Sequence, residues 1–487
     1  MKTNEDRAEA WRVELRNAIK AKDRTSIERV HMPELDAEYR SHNRVEEVNL
    51  GITAEQAMQE AKRCLDCANP TCMLGCPVGI SIPTFIKNIE RGEFLEAAKT
   101  LKETSALPAV CGRVCPQEKQ CEGVCIHLKM NKQAVAIGHL ERFAADYERT
   151  SGNISVPTVA PANNIKIAGV GSGPAGLAFA GDMAKLGYEV VVYEALHEIG
   201  GVLKYGIPEF RLPNDIVDVE IQNLQAMGVH FVTNCVVGKT ISIADLEQDG
   251  FKGIFVASGA GLPRFMNIKG ENLVGVMSSN EYLTRVNLMD AASPDSDTPV
   301  FLGKRVAVIG GGNTAMDSVR TARRLGAERA ILVYRRSEEE MPARLEEVKH
   351  AKEEGIEFMT LHNPIEYKGN ENGRVTHIVL QVMELGQPDA SGRRSPVEIP
   401  GKIETIEVDE VIVSVGVSPN PLIPQSVQGL EVTKWGTVVV DNDTMQSAVP
   451  IIFAGGDIVR GGATVILAMG DGRRAAKAMD EWLMNSK

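Results

Sequence analysis

From Ile165 onward, apolar runs of strand length alternate with stretches whose apolar positions recur every three or four residues. That rhythm predicts an α/β, doubly wound sheet. It starts twice, at Ile165 (IKIAGV) and at Arg305 (RVAVIG). The chain before it reads differently. Residues 1–50 are polar with helical spacing, and a helix is expected from Thr53, where Gln56 completes a capping box, through Ala57, Ala61 and Cys64. AVAIGHLERFAADYERT predicts another helix, and SGNISVPTVAPANN, rich in Ser, Pro and Asn, a linker. Near the end IIFAGGDIV reads as a last strand, followed by a helix starting near Thr464.

Composition narrows the picture. A chain of 487 residues suggests about three domains. A net charge of −12 and a pI near 5.4 argue against a nucleic-acid partner. No run approaches the roughly 20 apolar residues of a membrane span. The opening MKTNEDRAEAWRVELRNAIKAKDR is charged without an apolar core, so a secretory signal is not expected and a cytoplasmic setting is.

The first α/β opening runs strand, Gly171-Ser172-Gly173-Pro174-Ala175-Gly176, helix, and a second strand ending at Glu194. Glycines permit a tight turn and close approach of a pyrophosphate to the helix N-terminus, and the acid can accept from ribose hydroxyls. FAD is favoured here over NAD, because Gly200-Gly201 follows the acid and FAGGDIV lies near the C-terminus. In the second opening Gly310, Gly312 and Ala315 fill the small positions, with Asn313 and Thr314 between them. Its second strand ends not in an acid but in Arg335 and Arg336. Guanidinium groups bind a 2′-phosphate that a carboxylate would repel, so NADPH is expected over NADH. The acidic run Glu338–Glu340 is read as a solvated helix start. VIVSVGVSPN and GIFVASGAGLP read as the strands where the chain crosses between domains, which inserts the second nucleotide domain into the first.

Eight of the nine cysteines fall between Cys64 and Cys125. Their order is C64-x2-C67-x4-C72-x3-C76-P, then C111-x3-C115-P-x4-C121-x3-C125. CxxC…CP runs serve cubane clusters, whereas zinc prefers paired CxxC knuckles; zinc, disulfides and free thiols stay as alternatives. Cys235, in a strand-like stretch, is expected to be buried and inert.

CLDCANPTCMLGCPV, CGRVCPQEKQCEGVC, EALHEIGGVLKYGIPEFRLP, GGGNTAMD, YRRSEEEMPA and FAGGDIVRG together resemble the glutamate synthase small-subunit family over nearly the whole chain. The chain is also similar to the N-terminal part of dihydropyrimidine dehydrogenase and to the large subunit of NADH-dependent reduced ferredoxin:NADP oxidoreductase. The resemblance implies an α-helical iron–sulfur domain (1–160) binding two 4Fe–4S clusters. An FAD domain in two parts (161–270 and 410–487) and an inserted NADPH domain (271–409) complete it. Gly201, Arg211, Gly456, Asp457 and Thr464 would join the first turn in holding FAD, Asp457 facing the ribityl and pyrophosphate region. One cluster would take Cys64, Cys67, Cys72 and Cys125. The other would take Cys76, Cys115, Cys121 and Glu141, with Cys111 as the alternative to Glu141.

The expected reaction is hydride transfer from NADPH to FAD, then single electrons through two clusters to a second subunit, in an oligomer. No catalytic acid or base is needed for the hydride step. That subunit is a glutamate synthase large subunit or, in an electron-bifurcating alternative, a small flavin and 2Fe–2S subunit, with ferredoxin a further acceptor. A thioredoxin-reductase-like enzyme is disfavoured, since no CxxC follows Gly310. A non-catalytic zinc and flavin scaffold is the remaining alternative.

Overall fold

The computed structural model describes residues 4–485. Its first third is helical. Helix α1 (Ala54–Lys62) opens on the expected box: Thr53 Oγ1 accepts from Gln56 N–H and Gln56 Oε1 from Thr53 N–H. It stops before Cys64, whose carbonyl instead accepts from Lys87 Nζ at 2.6 Å. Helix α2 (Pro108–Val114) starts on a proline, whose missing N–H costs nothing in the first turn, and ends at Cys115, held extended by Pro116. Helix α3 (Ile137–Ser151) precedes residues 153–165, which carry no regular structure, as the linker composition anticipates.

The first sheet is built from β1 (Lys166–Val170), β2 (Glu189–Tyr193), β3 (His230–Val232), β4 (Phe251–Val256) and β15 (Ile452–Ala454). All pair in parallel, in the order β15-β4-β1-β2-β3. Helix α4 (Pro174–Lys185) joins β1 to β2, and α5 (Asn214–Ala226) precedes β3. Between β4 and β15 the chain leaves through β5 (Leu262–Pro263) and builds a second parallel sheet. Its strands are β6 (Val276–Ser278), β7 (Arg305–Ile309), β8 (Arg329–Tyr334), β9 (Glu357–Thr360) and β13 (Glu410–Val413), in the order β6-β13-β7-β8-β9. Helix α6 (Asn313–Arg324) links β7 to β8, and α7 (Leu345–Glu353) links β8 to β9. Strands β10 (His362–Gly369), β11 (Val375–Pro388) and β12 (Arg394–Glu407) add an antiparallel layer. The chain returns through β14 (Val417–Ser418), which pairs antiparallel with β5. The fold is thus the expected nested pair of doubly wound domains after a helical domain.

One boundary moves. Glu410–Val413, assigned from sequence to the returning first domain, pairs with Val306–Ile309 and Val276–Ser278 and so belongs to the second sheet. The crossing is at β14, within the VIVSVGVSPN stretch read as a crossing.

Helix α8 (Val465–Asn485) closes the molecule and lies against α4 so tightly that a Cβ on Gly472 would sit 2.3 Å from the Ala175 carbonyl oxygen. The helical domain is not an appendage. Its Phe85, Leu101 and Val110 share one buried core with Leu177, Phe179 and Met469 of the first α/β domain. Among the described residues no helix is long and apolar enough to cross a membrane.

Candidate functional site

Both glycine turns open onto one continuous cleft of about 2210 Å³. In the first turn Gly171 has φ +100°, and a Cβ there would meet the Ala257 carbonyl oxygen at 2.4 Å. A Cβ on Gly176 would lie 2.0 Å from the Gly171 oxygen, so this glycine serves the contact of helix with strand rather than the cleft wall. Gly171, Gly173, Pro174 and Ala175 do line the cleft, and nothing crowds Gly173. Glu194, just past β2, braces the turn: Oε2 accepts from Ser172 N–H (2.8 Å) and Oγ (2.6 Å), Oε1 from Leu196 N–H (2.9 Å). Gly201, at φ +55°, passes so near the turn that a Cβ on it would lie 2.9 Å from the Gly173 Cα.

Gly456, Asp457 and Thr464 lie on the same wall, where the first turn of α8 begins. Burial raises the Asp457 carboxyl to about 6, although its Oδ1 accepts from Ala463 N–H at 2.9 Å. Tyr205, absent from the sequence reading, faces this wall; burial, then Asp457 and Glu194, push it up to about 12. Arg211 reaches the cleft, but its guanidinium is committed to Asp317 (2.6 Å) and Glu347 (3.0 Å) of the second domain. It spans the two domains as an ion-paired tie rather than standing as a free charge.

In the second turn a Cβ on Gly310 (φ +145°) would meet the Ser414 carbonyl oxygen at 2.3 Å, while Gly312 is open. Asn313 and Thr314 line the cleft; Ala315 is fully buried behind them, in the packing role of the third small position. Arg335 is exposed in the cleft with no partner among the described residues. Arg336 is buried and pairs with Asp389 at 2.5 Å. A third arginine, Arg393, joins them from the turn between β11 and β12. Sequence reasoning missed it, since only the antiparallel layer brings that turn to the end of β8.

By the charges they feel the cysteines form two sets, Cys64, Cys67 and Cys72 with Cys125, and Cys76, Cys111, Cys115 and Cys121 with Glu141. Burial pushes the Cys67 thiol up to about 11, with Cys64 and Cys125 adding to it. Cys72 is raised by burial and then by Cys64, Cys125 and Cys67. In the second group burial raises Cys76, Cys115 and Cys121, and Glu141 adds to each. Glu141 is buried, its Oε1 has no hydrogen-bond partner among the described residues, and burial followed by Glu220 raises it to about 8. An orphaned carboxylate facing the buried thiols of Cys115 and Cys121 and the half-buried Cys76 is what a cationic metal group would neutralise.

Zinc fits this less well. Zn–S bonds of about 2.3 Å would hold the sulfurs about 3.8 Å apart. Among the described residues no three cysteine sulfurs fall within 4.8 Å of one another. Cys111 lies beside the second group, but its Sγ contacts Met469 Sδ of α8 at 3.4 Å. Cys235 is buried as expected, in a loop after β3 rather than in a strand, and it lines the cleft. A compact donor set, Glu34, Glu346 and His350, also exists, yet Lys349, Arg40 and Arg344 already neutralise its carboxylates.

Residues 40–153 match the family described as dihydropyrimidine dehydrogenase domain II, 4Fe-4S cluster, and residues 165–472 match the pyridine nucleotide-disulphide oxidoreductases. The glutamate synthase [NADPH] small chain of Escherichia coli is 37% identical over 434 residues, spanning 88% of this chain and 92% of that protein. The chain belongs to the glutamate synthase small-chain family. A further relative of this small-chain family member is the NADPH-Fe(3+) oxidoreductase subunit beta of Geobacter sulfurreducens. It is 37% identical over 461 residues, 90% of this chain and 67% of that protein. FprA from Mycobacterium tuberculosis, solved in complex with NADPH, shares the fold of the two nucleotide domains. Its TM-score is 0.56 at 22% identity, over 67% of this chain and 86% of that one. The small-chain family member is thus a flavin and nicotinamide oxidoreductase carrying a 4Fe–4S domain.

Proposed function

We propose that this chain carries electrons between NADPH and a partner subunit through FAD and two 4Fe–4S clusters. One arrangement carries the reading. The first turn of α8 lines the cleft, and the same helix touches the helical domain on its other side. A Cβ on Gly470 would lie 3.1 Å from Pro77, next to Cys76, and Met469 touches Cys111. The group of Cys76, Cys115, Cys121 and Glu141 is therefore the one nearer the flavin. The group of Cys64, Cys67, Cys72 and Cys125 then lies farther along the path; Cys64, Cys67 and Cys72 are partly exposed, as Cys76 is.

When bound, FAD supplies two-electron hydride chemistry and the clusters supply one-electron transfer. The protein's part is to position. Gly171 and Gly173 let a pyrophosphate approach the N-terminus of α4, Gly176 lets that helix pack on its strand, and Glu194 holds the turn while offering acceptors to a ribose. Arg335 offers an unpaired charge to a 2′-phosphate, with Arg336 and Arg393 beside it. Cys64, Cys67, Cys72 and Cys125 hold one cluster, and Cys76, Cys115, Cys121 and Glu141 the other. A reducing, cytoplasmic setting suits cysteines kept as thiolates. The partner is a synthase large subunit, as the name of the Escherichia coli relative suggests, or a small flavin and 2Fe–2S subunit.

Anaerobically purified protein is expected to contain FAD and about eight irons per chain with acid-labile sulfide, the content of two cubanes. About two zincs per chain without sulfide would contradict this.

A further inference from the structure

Met341–Arg344 belongs to neither glycine turn nor to the cysteine groups, yet it touches both. Ala343 N–H donates to the Gly311 carbonyl at 3.2 Å, and Arg344 N–H donates to Asn313 Oδ1 at 2.8 Å. The side chain of Arg344 runs the other way, into the helical domain. Nη1 donates to the Arg113 carbonyl (2.6 Å) and Nη2 to Gln117 Oε1 (2.9 Å). Those two residues bracket Cys115. Gln117 in turn donates from Nε2 to the Cys111 carbonyl at 3.1 Å. Arg344 is buried, its guanidinium held between the carbonyl two residues before Cys115 and the side chain two residues after it. Glu346 at 3.1 Å and Glu118 at 3.9 Å offset part of that charge. One residue therefore has its main chain hydrogen-bonded to the nucleotide turn and its cation beside the inner cysteine group.

We propose that Arg344 is a positioning residue that couples nucleotide occupancy of the second turn to the reduction potential of the cluster at Cys76, Cys115, Cys121 and Glu141. The inference rests on the reading of those four residues as ligands. A cluster that gains one electron becomes more negative, so a fixed cation beside Cys115 favours its reduced form. The main chain that carries the cation is tied to Asn313, at the mouth of the nucleotide turn. A nucleotide seated there moves or stiffens Asn313, and the guanidinium with it. Linkage makes the effect reciprocal: NADP+ changes the reduction equilibrium by the factor by which reduction changes NADP+ affinity. Arginine suits the task because its planar fork grips two acceptors at once, which a lysine ammonium does not reproduce.

EPR-monitored redox titration of the holoprotein, with and without NADP+, tests this in wild type, Arg344→Gln and Arg344→Lys. Arg344→Gln is expected to disfavour reduction of the inner cluster tenfold or more, about 59 mV for a one-electron couple. It is expected to abolish that cluster's response to NADP+ and to leave the outer cluster unmoved. Arg344→Lys keeps the charge and is expected to keep the potential, with a weaker response to NADP+. An unchanged inner potential in Arg344→Gln, or a wild-type potential indifferent to NADP+, overturns the proposal. Loss of the inner cluster in both variants overturns it too, by assigning Arg344 a purely structural role. Wild-type protein without clusters would overturn the ligand reading itself, so the two failures are told apart.

Discussion

Arg335 and Arg336 are adjacent in sequence but unequal in the structure. Arg335 stands free in the cleft, whereas Arg336 is already paired with Asp389. Arg335→Ala is therefore expected to lower kcat/KM for NADPH tenfold or more, a loss of about 1.5–3 kcal/mol for a charge-assisted contact, and to leave NADH nearly unchanged. Arg336→Ala should cost less. Steady-state kinetics with both nucleotides check this, and equal losses for NADPH and NADH would refute it. Cys111 and Glu141 are the other residue-scale choice. Glu141 is orphaned and faces the three thiols, while Cys111 contacts Met469. Glu141→Ala is expected to lose or convert one cluster, and Cys111→Ser to keep both, by iron content and low-temperature EPR. The reverse pattern would assign the ligand to Cys111. The glycines and Glu194 were legible in sequence because a tight turn and its acid are local features. Arg393 and Tyr205 were not, because folding alone brings them to the cleft.

At the scale of elements, α2 carries Cys111, and its start is held by a residue of the first α/β domain. Glu220 of α5 accepts from Ala109 N–H at 2.8 Å through Oε1. Burial raises this carboxyl from 4.5 to about 7. The folded chain thus holds the proton more tightly than the unfolded one. Its contribution to stability is complete below pH 4.5 and is lost as pH rises through about 7. Glu220→Gln keeps an acceptor for Ala109 and removes the titration. The melting temperature of the variant minus that of wild type is expected to climb between those pH values; a flat difference would show that Glu220 does not titrate there. Periodicity foretold α1, α3 and the parallel strands well, since a capping box and buried runs are strong local signals. The antiparallel layer escaped it. Most of β12 is exposed, so the alternation that marks a half-buried strand is missing there.

At the scale of the whole molecule, the nesting of one nucleotide domain in the other was legible from its two crossing strands. The union of the domains was not, because it rests on an apolar core shared between the helical and first α/β domains and on buried charge contributed from distant segments. Glu354 binds Arg320 (2.7 Å), Arg324 (2.6 Å) and Arg40 (3.1 Å), the last from the N-terminal region. Glu354→Gln leaves buried cations poorly matched and is expected to cost about 3–5 kcal/mol, read by denaturant unfolding. A loss under about 1 kcal/mol would mean that the network contributes little net stability. The central claim is that the nucleotide cleft and both cysteine groups form one electron path within this chain. It is tested most directly by reducing the clusters anaerobically with dithionite, removing the excess, and adding NADP+ while recording EPR and nicotinamide absorbance. Both cluster signals are expected to disappear as NADPH forms in excess of one per flavin, and FAD-stripped protein should show neither change. Clusters that stay reduced while only the flavin is reoxidised would contradict the account.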